Sequence, residues 1–200
     1  MKALFCILPL SFFLPSCSNS FSTGAEASTG YLSAFRSGTP TSENEAMAHA
    51  RGYWDGDAVD GTASIQIIRS EQKAYFYKGS QLVGVSPIST GKSTHTTPPG
   101  RFKISQKSAD HKSSLYGVIR DKATGLIVNS DADTRKHRAK AGQVFENAPM
   151  PYFMRFNSGI GMHVGHLPGY AASHGCVRMP EEMAVNFFEN VKIGTPVIVK

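Results

Sequence analysis

Residues 159–180 run Gly-Ile-Gly-Met-His-Val-Gly-His-Leu-Pro-Gly-Tyr-Ala-Ala-Ser-His-Gly-Cys-Val-Arg-Met-Pro. Three histidines, one cysteine, one serine and one arginine share this short stretch. A thiol is a useful nucleophile only as thiolate. Its free pKa of about 8.5 falls beside an imidazole or under inward-pointing backbone N–H groups. His163 closes an apolar, strand-like run, and Cys176 follows a turn that leads into another short element. That order can bring imidazole and thiol together. His163 then either takes the thiol proton or holds a thiolate–imidazolium pair, which lowers the thiol pKa below its free value. The Gly175–Cys176 backbone can offer N–H groups to a tetrahedral oxyanion. The neighbouring glycines permit close backbone approach and unusual dihedrals.

The same residues admit blander chemistry. Cys176 alone would be a small buried hydrophobe, and His163 alone a satisfied core histidine. His163-x-x-His166 with His174-x-Cys176 could supply four zinc ligands, as a structural site or a zinc-dependent peptidase. No Asp or Glu falls within residues 159–180 to act as that peptidase's base. A papain-like arrangement is disfavoured, because there Cys precedes His in the chain. His166 reads as a rim or surface residue, and His174 as a loop holder. Arg178 reads as a cap on local carbonyls in preference to a substrate carboxylate contact.

Cysteine arithmetic isolates Cys176. The chain has 200 residues and three cysteines. Met1-Lys2 opens it with a positive charge, and Ala3 to Leu14 is apolar except for Pro9 and Ser11. That run suits a signal-peptide core and is too short to span a bilayer, which takes about 20 apolar residues. It ends Leu14-Pro15-Ser16-Cys17, which resembles the bacterial lipoprotein box, where the Cys becomes the lipidated first residue. Residues 1–16 are therefore expected to be a signal peptide with a lipobox. Cys6 leaves with it, lipidated Cys17 has no thiol, and Cys176 has no disulfide partner. The formal net charge is +6, carried by scattered residues such as Lys103, Lys107, Lys112, Arg135, Lys136 and Arg138. There is no dense basic run of the nucleic-acid kind. The charge suits solubility and attraction to an anionic envelope polymer or lipid headgroups alike.

The elements that must position this chemistry are mostly strands. Ser18 to about Gly30 is rich in Ser, Thr, Ala and Gly and reads as a flexible tether. Ser42-Glu43-Asn44-Glu45 fits a capping box for a short helix that Gly52 ends. From Thr62 the texture changes. Ser64-Ile65-Gln66-Ile67 alternates, and Lys73–Lys78 meets Gln81–Val85 across a Gly79-Ser80 hairpin turn. Gly100–Ile104, Leu115–Ile119, Ile160–Val164 and Thr195–Val199 are further strands. One helix precedes the last of them. Pro180 suits its first turn, Glu181 and Glu182 its positive end, and Met183, Phe187, Phe188 and Val191 form its apolar stripe. Most of the region from about Ser105 to Pro149 is polar and reads as long loops. Tyr152, Phe153 and Met154 suit either core or a flap. The pattern is mainly β: a small mixed sandwich or barrel-like domain with one C-terminal helix before the last strand.

The string Ser173-His174-Gly175-Cys176-Val177-Arg178, with His163 upstream, resembles the signature of the L,D-transpeptidase family, the YkuD-type catalytic domain. Thr90-Gly91-Lys92 followed by Thr97-Pro98-Pro99-Gly100-Arg101-Phe102 resembles that family's Thr-Gly and Thr-Pro-x-Gly-x-Phe turn. Gly194-Thr195-Pro196-Val197 resembles its closing strand. The resemblance implies a catalytic domain over 63–200, behind a lipidated tether and short helix over 17–62. It implies that Cys176 is the acylated nucleophile and His163 the general base. His174, Gly175 and Arg178 would shape the site or its oxyanion hole, and Ser173 would position substrate. The Gly165–Tyr170 loop makes the His163-to-Ser173 interval compact. The implied reaction forms a thioacyl intermediate with a peptidoglycan stem peptide and passes the acyl group to an amine, with neither metal nor organic cofactor. Hydrolysis at the same site, as a carboxypeptidase or amidase, is the alternative outcome. A non-catalytic wall-binding lipoprotein would instead tolerate Cys176→Ser. The implied location is outside the cytoplasm, at the periplasmic face of the envelope, on the outer membrane where one exists. The implied partners are stem peptides and a membrane, not nucleic acid.

Overall fold

Ile65 and Ile67 alternate with Ser64 and Gln66, and both isoleucines are fully buried in strand β2 (Ala63–Ile68). Burial of one face by alternate residues is what fixes a strand's register. The computed structural model describes residues 51–200. The expected leader, the lipidated Cys17, the tether and most of the capped helix lie outside the described residues.

β2 belongs to a six-stranded sheet. β1 (Tyr53–Trp54), β4 (Gln81–Pro87), β3 (Lys73–Lys78), β2, β13 (Pro196–Val199) and β5 (Gly100–Lys103) follow in that order, with only β2 and β13 parallel. The expected hairpin joins β3 to β4. Gly79 takes φ +60 there, a left-handed value that costs a residue without Cβ little. A second sheet runs β12 (Val177–Met179), β11 (Ile160–Val164), β10 (Phe153–Asn157), β6 (Gln106–Ser108), with β11 and β12 parallel. Ile65, Phe76 and Val197 of the first sheet join Met154, Met162 and Val177 of the second in one core. The sheets form no closed barrel. Phe153 and Met154 have no exposed surface, so this segment is core and not flap.

Helix α1 (Glu181–Asn190) closes that core. Pro180 precedes it at φ −59, the acidic pair sits in its first turn, and Met183, Ala184 and Phe187 are buried. The Phe187 ring packs edge-on to Phe76 with centroids 4.9 Å apart. No helix among the described residues is long and apolar enough to cross a membrane.

The region expected to be long loops is a third sheet. β7 (Lys112–Asp121) lies between β8 (Ile127–Asp133) and β9 (Gln143–Pro149). Leu126, Ile127 and Val128 are 68 %, 51 % and 56 % exposed, so no apolar alternation marks a buried face. Its pairing is carried by backbone bonds, which leave little trace in the sequence. Both ends of this insertion meet at one neck, where Met150 N–H donates to the His111 carbonyl (2.8 Å) and Tyr152 N–H to the Ala109 carbonyl (2.9 Å). The β7–β9 register slips between Lys112 and Gly117. Ser113 Oγ accepts the Tyr116 N–H at this irregularity (2.9 Å).

Candidate active site

β11 and β12 place the thiol and the imidazole. Their parallel register sets Met162 opposite Val177 and His163 opposite Arg178, so Cys176 enters just before β12, beside the start of β11. Cys176 and His163 line one cavity of about 240 Å³, together with His166, Ser173, His174 and Arg178. The insertion roofs it with Ser113, Tyr116 and Met150. A second cavity, also about 240 Å³, reaches Cys176 from the side of His111, Arg155 and Ile160. The half-buried thiol thus stands where two cavities meet.

His163 is 6 % exposed. Its Nδ1 lies 2.7 Å from the Val164 carbonyl. A carbonyl can only accept, so Nδ1 carries the proton and Nε2 keeps its lone pair. Burial lowers the His163 pKa to about 4; the bond to Val164 opposes this, and Arg178 and His111 add to it. The imidazole is therefore neutral near neutral pH. Burial likewise raises the Cys176 pKa, against the Gly161 backbone N–H and the charges of Arg155 and Arg178. Of the two expected states, these directions favour a neutral thiol with His163 as a neutral base over the thiolate–imidazolium pair. The thiol S–H faces the Gly159 carbonyl at 3.8 Å, so proton transfer requires the thiol to turn toward Nε2.

The Cys176 loop is braced from far along the chain. Thr97, wholly buried, donates from Oγ1 to the Gly175 carbonyl (2.7 Å) and accepts the Gly91 N–H (2.9 Å). Gly91 has no room for a side chain, since a Cβ would stand 2.0 Å from the His95 carbonyl. Gly175 takes φ +114, where a Cβ is strained. Gln72 holds Thr90 through both ends of its amide, and Ser89 exchanges backbone bonds with Arg178.

Ser173 serves this bracing. It is 1 % exposed, donates to the Cys176 carbonyl (2.5 Å) and accepts the Gly175 N–H (3.1 Å). Its hydroxyl is satisfied within the loop, which supports a shaping role in place of the expected substrate contact. The Gly175 N–H is likewise taken, leaving the Cys176 N–H as the open donor of that pair. His174 stacks on Tyr116 (4.4 Å, 21°), meets His95 edge-on and places Nε2 3.3 Å from Asp131 Oδ1. It ties the Cys176 loop to the insertion. His166 is exposed on the rim. Arg178 caps no carbonyl with its side chain among the described residues.

Among the described residues, no group of three or more His, Cys, Asp or Glu side chains could hold a metal ion. His163, His166, His174 and Cys176 do not converge as four zinc ligands would. Tyr116, Ser113, Met150, His111, Arg155 and Asp131 enter the site unannounced by any motif. Only Tyr116 carried a signal, as part of an alternating run.

A family model described as the L,D-transpeptidase catalytic domain, YkuD, matches residues 62–199. No curated protein matches the chain. Among solved structures, an L,D-transpeptidase from Mycobacterium smegmatis superposes with a TM-score of 0.53 at 16% identity, over 70% of this chain and 59% of that one. An L,D-transpeptidase from Xylanimonas cellulosilytica gives 0.52 at 20% identity, over 74% and 65%. A Cys-to-Ser mutant of the Enterococcus faecium L,D-transpeptidase gives 0.50 at 24% identity, over 70% and 50%. The chain spans between half and two thirds of the length of these structures, and the likeness is one of fold.

Proposed function

Because the chain belongs to the L,D-transpeptidase catalytic-domain family over residues 62–199, we propose that it transfers acyl groups of peptidoglycan stem peptides through a thioester on Cys176. His163 Nε2 takes the thiol proton as Sγ attacks the carbonyl carbon of the scissile amide. The open Cys176 N–H faces the developing oxyanion. The S–C bond forms, the C–N bond breaks, and the leaving amine carries off the proton that His163 held. An acceptor amine then attacks the thioester and gives its proton to His163, and the thiol is restored. Neither metal nor cofactor enters this scheme.

The observation that carries the reading is the thiol at the junction of two cavities, with an uncharged base in one of them. The acyl part of the donor and the amine that leaves or enters beside His163 need places on either side of one carbonyl, and two cavities supply them. The test is mass analysis of products after the protein is incubated with muropeptides. Cross-linked stems with release of the donor's terminal residue are expected. Shortened stems without cross-links would identify hydrolysis at the same thioester, and unchanged muropeptides would reject both.

We place this domain outside the cytoplasmic membrane, anchored by lipid on Cys17, with the segment up to residue 50 as its tether, since Tyr53–Trp54 already pairs with β4 in the domain. The Leu14-Pro15-Ser16-Cys17 box supports the anchor.

A further inference from the structure

Arg178 is the lasting cation of the His163 cavity, which has no Asp or Glu in its lining. Among the described residues its guanidinium engages no hydrogen-bond acceptor and no carboxylate. The arm is nonetheless held in place. A Cβ at Gly165 would stand 2.9 Å from Arg178 Cγ and 3.1 Å from its Cβ and Cδ, so the glycine makes room for it. Its backbone N–H and carbonyl both bond to Ser89 at 3.0 Å. Arg178 is a half-buried residue, and its free donors can take an anionic ligand.

The geometry points to Arg178 as the group that reads the carboxylate of the residue released when Cys176 is acylated. This rests on the acyl-transfer reading above. The departing nitrogen must reach His163, which supplies its proton. The carboxylate of that departing residue is one carbon away from the nitrogen. Arg178 is the cross-strand partner of His163, and both line the same cavity. A guanidinium offers a carboxylate two parallel N–H donors. The arginine of the other cavity is differently placed. Arg155 gives Nε to Gln106 Oε1 (2.8 Å) and Nη1 to the Ser158 carbonyl (2.6 Å), and lies over the Phe153 ring. The charge of Arg178 also bears on His163, His174 and Cys176, which agrees with a position at the reacting atoms.

The test uses two donor peptides that differ only at the terminus, one a free acid and one a carboxamide. Acylation rates are compared for the full chain, for Arg178→Gln and for Arg178→Lys. The acid-to-amide ratio does not depend on the fraction of protein that is folded. The wild type is expected to prefer the acid about tenfold to hundredfold, the range of a charge-assisted pair. Arg178→Gln should bring the ratio near one, and Arg178→Lys should fall between, since it keeps charge and loses the fork. A wild type that ignores the terminus, or an Arg178→Gln that keeps the preference, overturns the assignment. If neither donor is turned over, the acyl-transfer reading fails. Calorimetric binding of both peptides to Cys176→Ala, with and without Arg178→Gln, then decides separately. A preference for the acid that vanishes with Arg178 supports the subsite, and equal binding of acid and amide overturns it.

Discussion

At the residue scale the account turns on an uncharged His163. Its pKa lies near 4, below the ordinary 6.5. Between those values the unfolded chain binds a proton that the folded chain refuses. The folded state is therefore fully favoured above pH 6.5 and loses up to about 3 kcal/mol as pH falls toward 4. Urea midpoints measured across that window should slope in the wild type and flatten in His163→Gln; an unchanged slope would show that another group titrates. Kinetics give a second test. His163→Ala should slow acylation about 10²- to 10⁴-fold. That deficit should narrow as pH rises toward the thiol pKa, where solvent supplies the thiolate. His174→Ala should show a deficit that is flat with pH, because it ties the loop to Tyr116 and Asp131. Stopped-flow acylation of the two variants across pH would expose exchanged roles at once. The thiol's own resting state is checked by ultraviolet absorbance, which should show no thiolate in the wild type at neutral pH.

At the element scale, the Cys176 loop depends on Thr97 from 78 residues away. Thr97→Val keeps the shape and removes the hydroxyl, leaving the Gly175 carbonyl and the Gly91 N–H unsatisfied. A loss of about 1–3 kcal/mol is expected in urea unfolding, with slower acylation, while Thr97→Ser should retain both. Equal stability of Thr97→Val and wild type would remove this brace from the account. These elements also mark what the sequence made legible. Strands with one face in the core were readable, as Ile65 and Ile67 were, because burial imposes a period of two. The helix over Glu181–Asn190 was readable for the same reason at its own period. Of the exposed insertion only Leu115–Ile119, within β7, was readable; β8 was not, since Leu126, Ile127 and Val128 face water and impose no period. Cys176 and His163 were legible as a local string. The partners of the loop were not, because bonds such as Thr97 to Gly175 and His174 to Asp131 join distant segments, and a short motif carries no record of them. Ser173 was placed in the right loop, and its inward-turned hydroxyl could not be read from its position in the string.

At the scale of the whole molecule, two sheets and one helix make a core that holds β11 and β12 in register, and an inserted third sheet roofs the cavities they open. Residues 1–50, outside the described part, are read as the means of placing this domain at the envelope. Cys17→Ser should move the protein from the membrane fraction to a soluble or uncleaved form on fractionation. Identical lipid-free protein in both cases would reject the anchor. The central claim is that Cys176 carries the acyl group. It is tested most directly by trapping the protein with a stem-peptide donor and mapping the adduct by mass spectrometry. The account predicts a single acyl adduct on Cys176 in the wild type and none in a folded Cys176→Ala. An adduct on any other residue, or turnover that survives Cys176→Ala beyond background, would contradict it.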